Sequence, residues 1–430
     1  MDKQEQPCYR SDLRKYRSAR PNVVSVSEVP EMATRLSRNV VADCARSYSV
    51  SLCPGLASGN VNYLAKTIGR RKSLLITTPT VAALYANQMM RGLLQQGTDV
   101  TMVIVPCSEE SKTLSEVEKL CDQSLRASLD RTSILIGCGG GVCTDLVTMA
   151  ASLTRRGLNY IRIPTTLIGL IDASIGIKGA VNLPSKKSAV GCFHPPEHVF
   201  LDPTFLRTLP KCRVAEGLAE VIKVAIVVDS GLFELTERYS CDLLERIVTM
   251  EAERLTELVW RSAIRLLDEL EPNIYEDKTY CRLLDFGHTF SPLIESESSF
   301  RISHGLAVSI DIAVSTALAF ELGLLARTDR DRILILLRNV GLPIFAPLLT
   351  EEVALRSLVA METHRGGHLN LVLPERVGSA VFVVERARIS ADIMRRALDF
   401  LEREGPAGPS AETAVAASGP RTLRRATEYA

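Results

Sequence analysis

The stretch ILIGCGGGVCTDL, residues 134–146, passes from an apolar strand pattern through a run of glycines into a helical pattern. Glycines at such a junction let backbone N–H groups approach a pyrophosphate at the positive end of a helix. They are Gly137, Gly139, Gly140 and Gly141. Val142 occupies the last slot of the GxGxxG pattern, so the stretch alone is as compatible with a structural turn as with dinucleotide binding.

The segments around this turn alternate between strand and helix patterns. Short β-branched apolar runs predict strands at 72–78, 98–106, 131–137 and 159–164, with helical runs between them at 81–97, 113–129 and 144–157. This alternation is typical of a parallel α/β sheet and favours a Rossmann-like nucleotide-binding half. From about residue 205 the apolar spacing becomes helical, at 216–228, 241–271 and 304–325. We therefore predict a disordered tail at 1–25, an NAD-binding α/β domain at 26–205, a mostly α-helical domain at 206–403 and a second disordered tail at 404–430.

Composition excludes several classes of protein. A hydrophobic content of 46% in 430 residues is ample for large cores, and a net charge of +1 gives no general attraction to nucleic acid or membrane. The eleven cysteines form no CxxC pair, which argues against cysteine zinc sites and a disulfide framework. The N-terminus lacks an apolar signal region, and no run reaches the roughly 18 apolar residues of a membrane span. A cytoplasmic protein with reduced thiols is expected.

One glutamate and two histidines are candidates for a metal site. In GLAEVIK, residues 217–223, Glu220 and Lys223 share one helix face at i,i+3. His288 lies in DFGHTFSPLIE, residues 285–295, whose apolar spacing predicts a helix, and Ser303 is positioned to cap the helix that begins at His304. Two His and one Glu can hold zinc with a position open for water or substrate. The spacing leaves alternatives open: a solvated ion pair, a packed core histidine and a surface histidine.

A further segment, PTTLIGLIDASIGIKGAVNLPSKKSAVG at 164–191, follows a predicted strand. Its charged residues Asp172, Lys178 and Lys187 stand among small residues. This pattern indicates a crevice, with a merely solvated lysine loop as the alternative.

Five separated motifs, taken in order, resemble those of the dehydroquinate-synthase-like sugar phosphate cyclases: GGGVCTD, PTTLIGLIDASIGIKGAVN, GLAEVIK, DFGHTFSPLIE and SHGLAV. The resemblance covers roughly residues 55–385. It implies tightly bound NAD⁺ and a divalent metal, Zn²⁺ or Co²⁺. With them such cyclases oxidise, eliminate phosphate from, reduce and cyclise a seven-carbon sugar phosphate.

The resemblance also implies roles for individual residues. The metal ligands would be Glu220, His288 and His304. The NAD-binding residues would be Glu109, Lys112, Gly140, Gly141, Asp145, Thr165, Thr166 and Lys187. The residues around the substrate would be Asp172, Lys178, Lys187, Lys223, Asp285, His364 and Arg365. Arg156 would reach the phosphate site of a neighbouring subunit, which implies a homodimer.

The chain departs from dehydroquinate synthase near the implied substrate site. Asp285 stands where that enzyme has Asn, Pro292 where it has His, and Cys281 where it has Arg. A substrate carboxylate favours a bidentate Arg and is repelled by Asp, so we expect a substrate with a neutral sugar end. Sedoheptulose 7-phosphate is such a substrate. Ser188 replaces an Asn that normally hydrogen-bonds the substrate, which predicts altered substrate fit or turnover.

Asp285 together with His364 is similar to the 2-epi-5-epi-valiolone synthases, whereas desmethyl-4-deoxygadusol synthases carry smaller residues there. The expected reaction is cyclisation of sedoheptulose 7-phosphate to 2-epi-5-epi-valiolone with release of phosphate. The alternatives are another sedoheptulose 7-phosphate cyclase (desmethyl-4-deoxygadusol or 2-epi-valiolone synthase), then 3-dehydroquinate synthase, then a metal-dependent polyol dehydrogenase. A degenerate cyclase that only binds ligands is a further alternative, motivated by Ser188.

Overall fold

The computed structural model describes residues 46–405, with gaps at 184–185, 241–243, 245–246, 248–249 and 366, and without the side chains of residues 186 and 364. The predicted tail at 1–25 lies outside the described residues. So does the tail predicted at 404–430, except for its first two residues, of which Glu404 ends a helix.

A six-stranded parallel sheet forms the first half of the described chain, in the order β1-β8-β5-β4-β2-β3. Its strands are β1 Ser49–Leu52, β2 Ser73–Thr77, β3 Val100–Ile104, β4 Ile134–Gly139, β5 Asn159–Pro164 and β8 His198–Leu201. Four of them coincide with predicted runs, while β1 and β8, with four residues each, are too short for a clear pattern. The predicted parallel α/β class is confirmed.

Helices cover both faces of the sheet and fill the second half of the chain. They are α1 Asn62–Ile68, α2 Pro79–Val81, α3 Asn87–Gln95, α4 Leu114–Arg126, α5 Gly141–Leu153, α6 Lys211–Val228, α7 Ser230–Tyr239, α8 Ala252–Leu270, α9 Ser291–Glu297, α10 His304–Glu321, α11 Arg327–Asn339, α12 Glu351–His364 and α13 Ala391–Glu404. A π-helical segment, Ala82–Ala86, joins α2 to α3. Within the helix expected at 241–271 the structure has α8, which follows the extended backbone of Glu251; residues 241–243, 245–246 and 248–249 of that prediction lie outside the described residues.

The core of the helical half is built around α6 and α10. Every residue of α6 from Val214 to Val227 is buried, as is every residue of α10 from Gly305 to Ala319. Helix α10 is long and apolar enough to cross a membrane by composition, but 83% of it is buried inside the fold. A helix that is apolar all round and packed on every side is a core helix.

Helices α6 and α10 approach each other very closely at Gly305. A Cβ atom at this position would lie 2.4 Å from the backbone oxygen of Glu216, so only glycine fits. Ser303 occupies the N-cap position of α10, as predicted, but it does not cap the helix. Its hydroxyl instead donates to Glu216 Oε1 at 2.9 Å. Both contacts join the start of α10 to the middle of α6.

An antiparallel hairpin, β6 Lys178–Leu183 and β7 Lys186–Phe193, follows β5, and a second one, β9 Leu371–Arg376 and β10 Ser379–Val383, lies near the end of the chain. The chain between β5 and β6 is fixed by Arg162, which is fully buried. Its guanidinium donates to the carbonyl oxygens of Ser174 at 3.1 Å, Gly176 at 2.6 Å and Lys178 at 2.6 Å. These bonds replace water on a buried cation and define the path of this segment.

Candidate active site

Three side chains from separate elements converge between the sheet edge and the helical half. Glu220 lies in the middle of α6, His304 is the first residue of α10, and His288 lies in the turn before α9. His304 Nε2 is 3.2 Å and His288 Nε2 is 3.9 Å from Glu220 Oε1. One ligand atom from each residue lies within 4.8 Å of the others. Glu220 is 1% exposed, whereas both rings are about one-third exposed, so the cluster is open on one side.

His288 does not lie in a helix, contrary to the expectation from apolar spacing. A 3₁₀ turn, Leu283–Asp285, ends before it, and the next helix begins only at Ser291. Gly287, with φ +76°, turns the chain between them. Asp311 of α10 fixes this turn, because its buried carboxylate accepts the backbone N–H of Ser291 at 2.8 Å and of the preceding residue at 2.5 Å. The apolar residues face the core from a turn rather than from one helix face.

Hydrogen bonds on the far side of each ring orient the two histidines. His304 Nδ1 lies 2.9 Å from Glu295 Oε1, and His288 Nδ1 lies 3.2 Å from the carbonyl oxygen of Phe286. A proton held on Nδ1 leaves Nε2 with the lone pair that a metal requires. Glu295, 6% exposed, also pairs with Lys187 of β7. The sequence interpretation missed Glu295, although an acidic residue in the apolar run PLIE was an available signal.

The charges at the cluster are those expected of a metal site without its cation. Neither buried oxygen of Glu220 has a hydrogen-bond partner of good geometry, although Lys223 Nζ lies 2.5 Å from Oε2. Burial would lower the pKa of His304, but the nearby carboxylates of Glu220 and Glu295 outweigh burial and raise the pKa to about 10. Burial and the nearby Lys223 lower the pKa of His288. A divalent cation would satisfy the buried Glu220 oxygen in place of the His304 proton, so this donor set fits Zn²⁺.

Lys223 joins this cluster to the segment after β5. It is 2% exposed, and its Nζ lies 3.1 Å from Asp172 Oδ2 as well as 2.5 Å from Glu220 Oε2. Burial would lower the pKa of Lys223, but the two carboxylates outweigh burial and raise it. The alternative of a solvated Glu220–Lys223 pair is therefore wrong, since both side chains are buried.

The glycine turn lies at the carboxyl edge of the sheet, where β4 and β5 end in register. A Cβ atom on Gly139 would lie 2.6 Å from Cys143 Cβ, and one on Gly140 would lie 3.1 Å from Thr166 Cγ2. Gly140 is the N-cap residue of α5 and offers no side chain to its free amides. The result is a tight cradle of backbone donors at a positive helix end, which fits a dinucleotide pyrophosphate.

Other predicted NAD residues surround this cradle. Lys112 Nζ lies 2.5 Å from Asp145 Oδ2, and the pair is largely shielded from solvent. Burial disfavours the Asp145 carboxylate and raises its pKa despite the lysine. The backbone N–H of Thr165 donates to Gly139 O at 3.0 Å, and Thr166 Oγ1 accepts the N–H of Gly169 at 3.2 Å. The structure thus brings these residues together at one sheet edge.

The hairpin β6–β7 adds the second predicted lysine. Lys187 Nζ pairs with Glu295 and lies 4.0 Å from Glu109 Oε1, which joins the metal cluster to the cofactor edge. Ser188 is exposed and has φ +50°. An amide that the sequence interpretation missed lies beside it: Asn182 Oδ1 accepts the N–H of Ser188, and Asn182 Nδ2 donates to Glu109 Oε1, both at 2.8 Å.

Asp285 is not the isolated anion that the sequence predicted. Arg365 Nη2 lies 2.5 Å from its Oδ2, and Arg282 Nη2 lies 3.0 Å from its Oδ1. Cys281 is exposed and carries no charge. Arg282, the residue after it, supplies a cation to Asp285. Arg365 is 3% exposed and also donates to the carbonyl oxygens of Leu369 and Asn370. The repulsive charge assigned to Asp285 is therefore balanced by two guanidinium groups.

Three predicted residues do not take part in these contacts. Lys178 of β6 pairs instead with Glu276, outside the metal cluster and the glycine cradle. Arg156 is exposed, has φ +65° and lies just beyond the carboxyl end of α5, whereas the glycine turn lies at the amino end of that helix. A thirteen-residue helix is about 20 Å long, so Arg156 is remote from the cradle of its own chain. His364 ends α12, but its side chain lies outside the described part of the structure.

The fold and the site combine a glycine cradle that fits a dinucleotide with a His₂Glu cluster that fits a divalent metal. The family models of the 3-dehydroquinate synthase N-terminal and C-terminal regions match residues 102–216 and 217–362. The 2-epi-5-epi-valiolone synthase of Streptomyces glaucescens is 36% identical over 372 residues, covering 85% of this chain and 94% of that protein. The demethyl-4-deoxygadusol synthase of Trichormus variabilis is 37% identical over 326 residues, covering 74% and 79%.

A solved structure agrees with these relatives. ValA, the 2-epi-5-epi-valiolone synthase of Streptomyces hygroscopicus subsp. jinggangensis 5008 with NAD⁺ and Zn²⁺ bound, superposes with a TM-score of 0.79 at 35% identity and covers 85% of this chain and 99% of that one. The chain belongs to the dehydroquinate synthase-like sugar phosphate cyclases.

Proposed function

We propose that the protein converts sedoheptulose 7-phosphate to 2-epi-5-epi-valiolone and phosphate, with NAD⁺ and Zn²⁺ as cofactors. The observation that carries this proposal is the convergence of Glu220, His288 and His304 beside the glycine cradle at the carboxyl edge of the sheet. The 36% identity to a 2-epi-5-epi-valiolone synthase supports the choice of product. The NAD⁺ and Zn²⁺ bound in ValA support the choice of cofactors.

The reaction needs transient oxidation, loss of phosphate, reduction and an intramolecular aldol closure. When bound, NAD⁺ accepts a hydride and later returns it, while Zn²⁺ polarises the oxygen at the carbon being oxidised. Glu220, His288 and His304 would hold the metal. The cradle at Gly139–Gly141, with Asp145 and Lys112, would hold the dinucleotide.

Lys223 is placed to donate to a substrate oxygen near the metal. Its ammonium carries three N–H donors, of which one donates to Asp172, while Glu220 is held as an ion pair at 2.5 Å. A further N–H remains for an oxygen of the substrate. Because the two carboxylates raise the pKa of Lys223, the ammonium keeps its proton and acts as an electrostatic donor rather than as a base.

Substrate choice depends on the guanidinium groups around Asp285. In dehydroquinate synthase a free arginine is available for a substrate carboxylate, whereas here both Arg282 and Arg365 are bound to Asp285. Losing a charged hydrogen bond costs about 1.5–3 kcal/mol, or roughly ten- to a hundredfold in affinity. The acidic heptulosonate phosphate loses that contact, while sedoheptulose 7-phosphate, which has no carboxylate, loses nothing.

The test is to incubate the purified protein with NAD⁺, Zn²⁺ and each sugar phosphate, and to measure phosphate release and identify products by mass and NMR. We expect 2-epi-5-epi-valiolone from the ketose alone. A preference for 3-dehydroquinate would overturn the proposal, and a different cyclitol would overturn only its last step. Stoichiometric NADH would identify a polyol dehydrogenase, and lack of any turnover would favour a binding protein.

The active unit is a cytoplasmic homodimer in this proposal. Arg156 is exposed and remote from the cradle of its own chain, which is consistent with a role at a partner's phosphate site. The eight cysteines in the described residues are all free thiols, as a reducing compartment favours. Mixing Arg156→Ala with a Lys223→Ala variant should restore up to about a quarter of the activity if sites are shared, because a random mixture of subunits then contains one intact site in four. Sedimentation that shows a fully active monomer would contradict the dimer.

A further inference from the structure

A chain of charged side chains with alternating sign crosses the substrate side of the site. It consists of Lys178, Glu276, Arg282, Asp285 and Arg365. Lys178 comes from the hairpin of the α/β half, and the others come from the helical half. Glu276 Oε1 pairs with both Lys178 Nζ and Arg282 Nη1, so this one carboxylate connects the two halves. Glu276 has no role in the proposed reaction itself.

Glu276 is held in this position by its loop. Its φ of +56° is unusual for glutamate, and such conformations persist where the surroundings fix them. Its backbone N–H donates to Asn273 O at 2.9 Å, and the Asn273 side chain bonds the backbone of Lys278 and Thr279. The residues around Glu276 are exposed, including Tyr275 and Asp277, whereas the Glu276 side chain is 21% exposed and faces inward.

The size of the positive charge at this place depends on Glu276. The chain has three cations and two carboxylates, so it carries one net positive charge. Burial would raise the pKa of Glu276, but Lys178 and Arg282 outweigh burial and lower it, which keeps the carboxylate charged. Removing this one charge would double the net positive charge and leave Lys178 and Arg282 without their shared anion.

We propose that Glu276 is a specificity-determining residue that keeps Lys178 and Arg282 from binding a carboxylate on the substrate. This inference rests on the proposed function, because it explains how a site with three nearby cations favours a ketose phosphate that has no carboxylate. Asp285 pairs with Arg282 and Arg365, whereas Lys178 pairs with Glu276. Glu276 forms ion pairs with Lys178 and with the second guanidinium nitrogen of Arg282, Nη1. Both sugar phosphates carry the phosphate, so only the carboxylate separates them.

The test compares Glu276→Gln with the wild-type enzyme, both loaded with NAD⁺ and Zn²⁺. Calorimetry gives the Kd of the acidic heptulosonate phosphate, and steady-state kinetics gives kcat and KM for sedoheptulose 7-phosphate. We expect the Kd of the acidic sugar to fall about tenfold, which corresponds to one new charged contact. The KM for the ketose should change far less. Glu276→Asp, which keeps the charge, should behave like the wild type.

Asp277→Asn is the matched control, because it removes the same charge from an exposed neighbour in the same loop. It should leave the ratio of the two affinities unchanged. Glu276→Ser removes the charge with less bulk and replaces Glu276→Gln if the latter does not fold. An unchanged Kd for the acidic sugar, or equal changes for both sugars, would overturn the proposal.

These outcomes are separable from a failure of the proposed function. The product formed by the wild-type enzyme decides the reaction, whereas the Kd of the acidic sugar is measured without turnover. If the wild type prefers the acidic sugar, the proposed function fails. If the wild type prefers the ketose and Glu276→Gln does not shift the affinity ratio, only the role of Glu276 fails.

Discussion

Replacing Glu295 by Gln should weaken metal binding although Glu295 is not a metal ligand. The carboxylate accepts from His304 Nδ1 at 2.9 Å and pairs with Lys187, and the residue is only 6% exposed. Gln has nearly the same shape, so the cavity stays filled. It lacks the negative charge that holds the Nδ1 proton and balances the lysine, and its NH₂ group would face a donor.

The magnitude follows from the two contacts that change. A charge-assisted hydrogen bond contributes about 1.5–3 kcal/mol and a neutral one about 1 kcal/mol, so the exchange at His304 costs on the order of 1–2 kcal/mol. This corresponds to a roughly 5–30-fold loss of metal affinity, which overlaps the lower part of the roughly 10–100-fold loss typical of partners behind a ligand. We expect the Kd for Zn²⁺ to rise within this range, with little change in the melting temperature of the metal-free protein.

The assay is competition for Zn²⁺ against a chromophoric chelator, read on the purified protein without substrate. Glu297→Gln is the matched control, because Glu297 is in the same helix, is 40% exposed and pairs with Arg356 on the surface. It should not change the Kd. His288→Ala should empty the site, so it gives the signal expected when no Zn²⁺ is bound. An unchanged Zn²⁺ affinity in Glu295→Gln would refute the reasoning, and full metal occupancy in His288→Ala would refute the ligand set itself.

The remaining predictions concern packing and pH. Gly305→Ala should destabilise the fold by about 3 kcal/mol or more and reduce metal affinity, because its Cβ would lie 2.4 Å from the backbone of Glu216 and push α10 from α6. Chemical denaturation measures the free energy of unfolding, and a wild-type value would contradict the close packing. Asp229→Asn should cost about 2–4 kcal/mol, since Asp229 bonds Arg261 and Arg265 and caps α7. These bonds lower the pKa of Asp229, although burial opposes them. The stabilisation by Asp229 is therefore present above the unfolded pKa near 4 and is lost as pH falls through the lower folded pKa. The unfolding free energies of the wild type and Asp229→Asn should converge on acidification, and a constant difference down to pH 2 would contradict this.

Local patterns predicted most of the regular structure. The strands β2, β3, β4 and β5 and the helices α5, α6 and α10 follow from apolar periodicity, because that signal depends only on neighbouring residues. The pattern failed at His288, where Gly287 and the carboxylate of Asp311 make a turn out of an apolar run. It also gave no sign of β1 or β8, whose pairing partner is distant in the sequence.

By itself the sequence determined the class of fold and the resemblance that singled out Glu220, His288 and His304. Only the tertiary structure decided which partners complete the site: Glu295 behind His304, Asn182 beside Ser188, and the guanidinium groups around Asp285. The physical reason is that charge balance and hydrogen bonding act through space between residues that are far apart in the chain. A single carboxylate such as Asp285 is repulsive or neutral to a ligand according to the cations that packing brings to it.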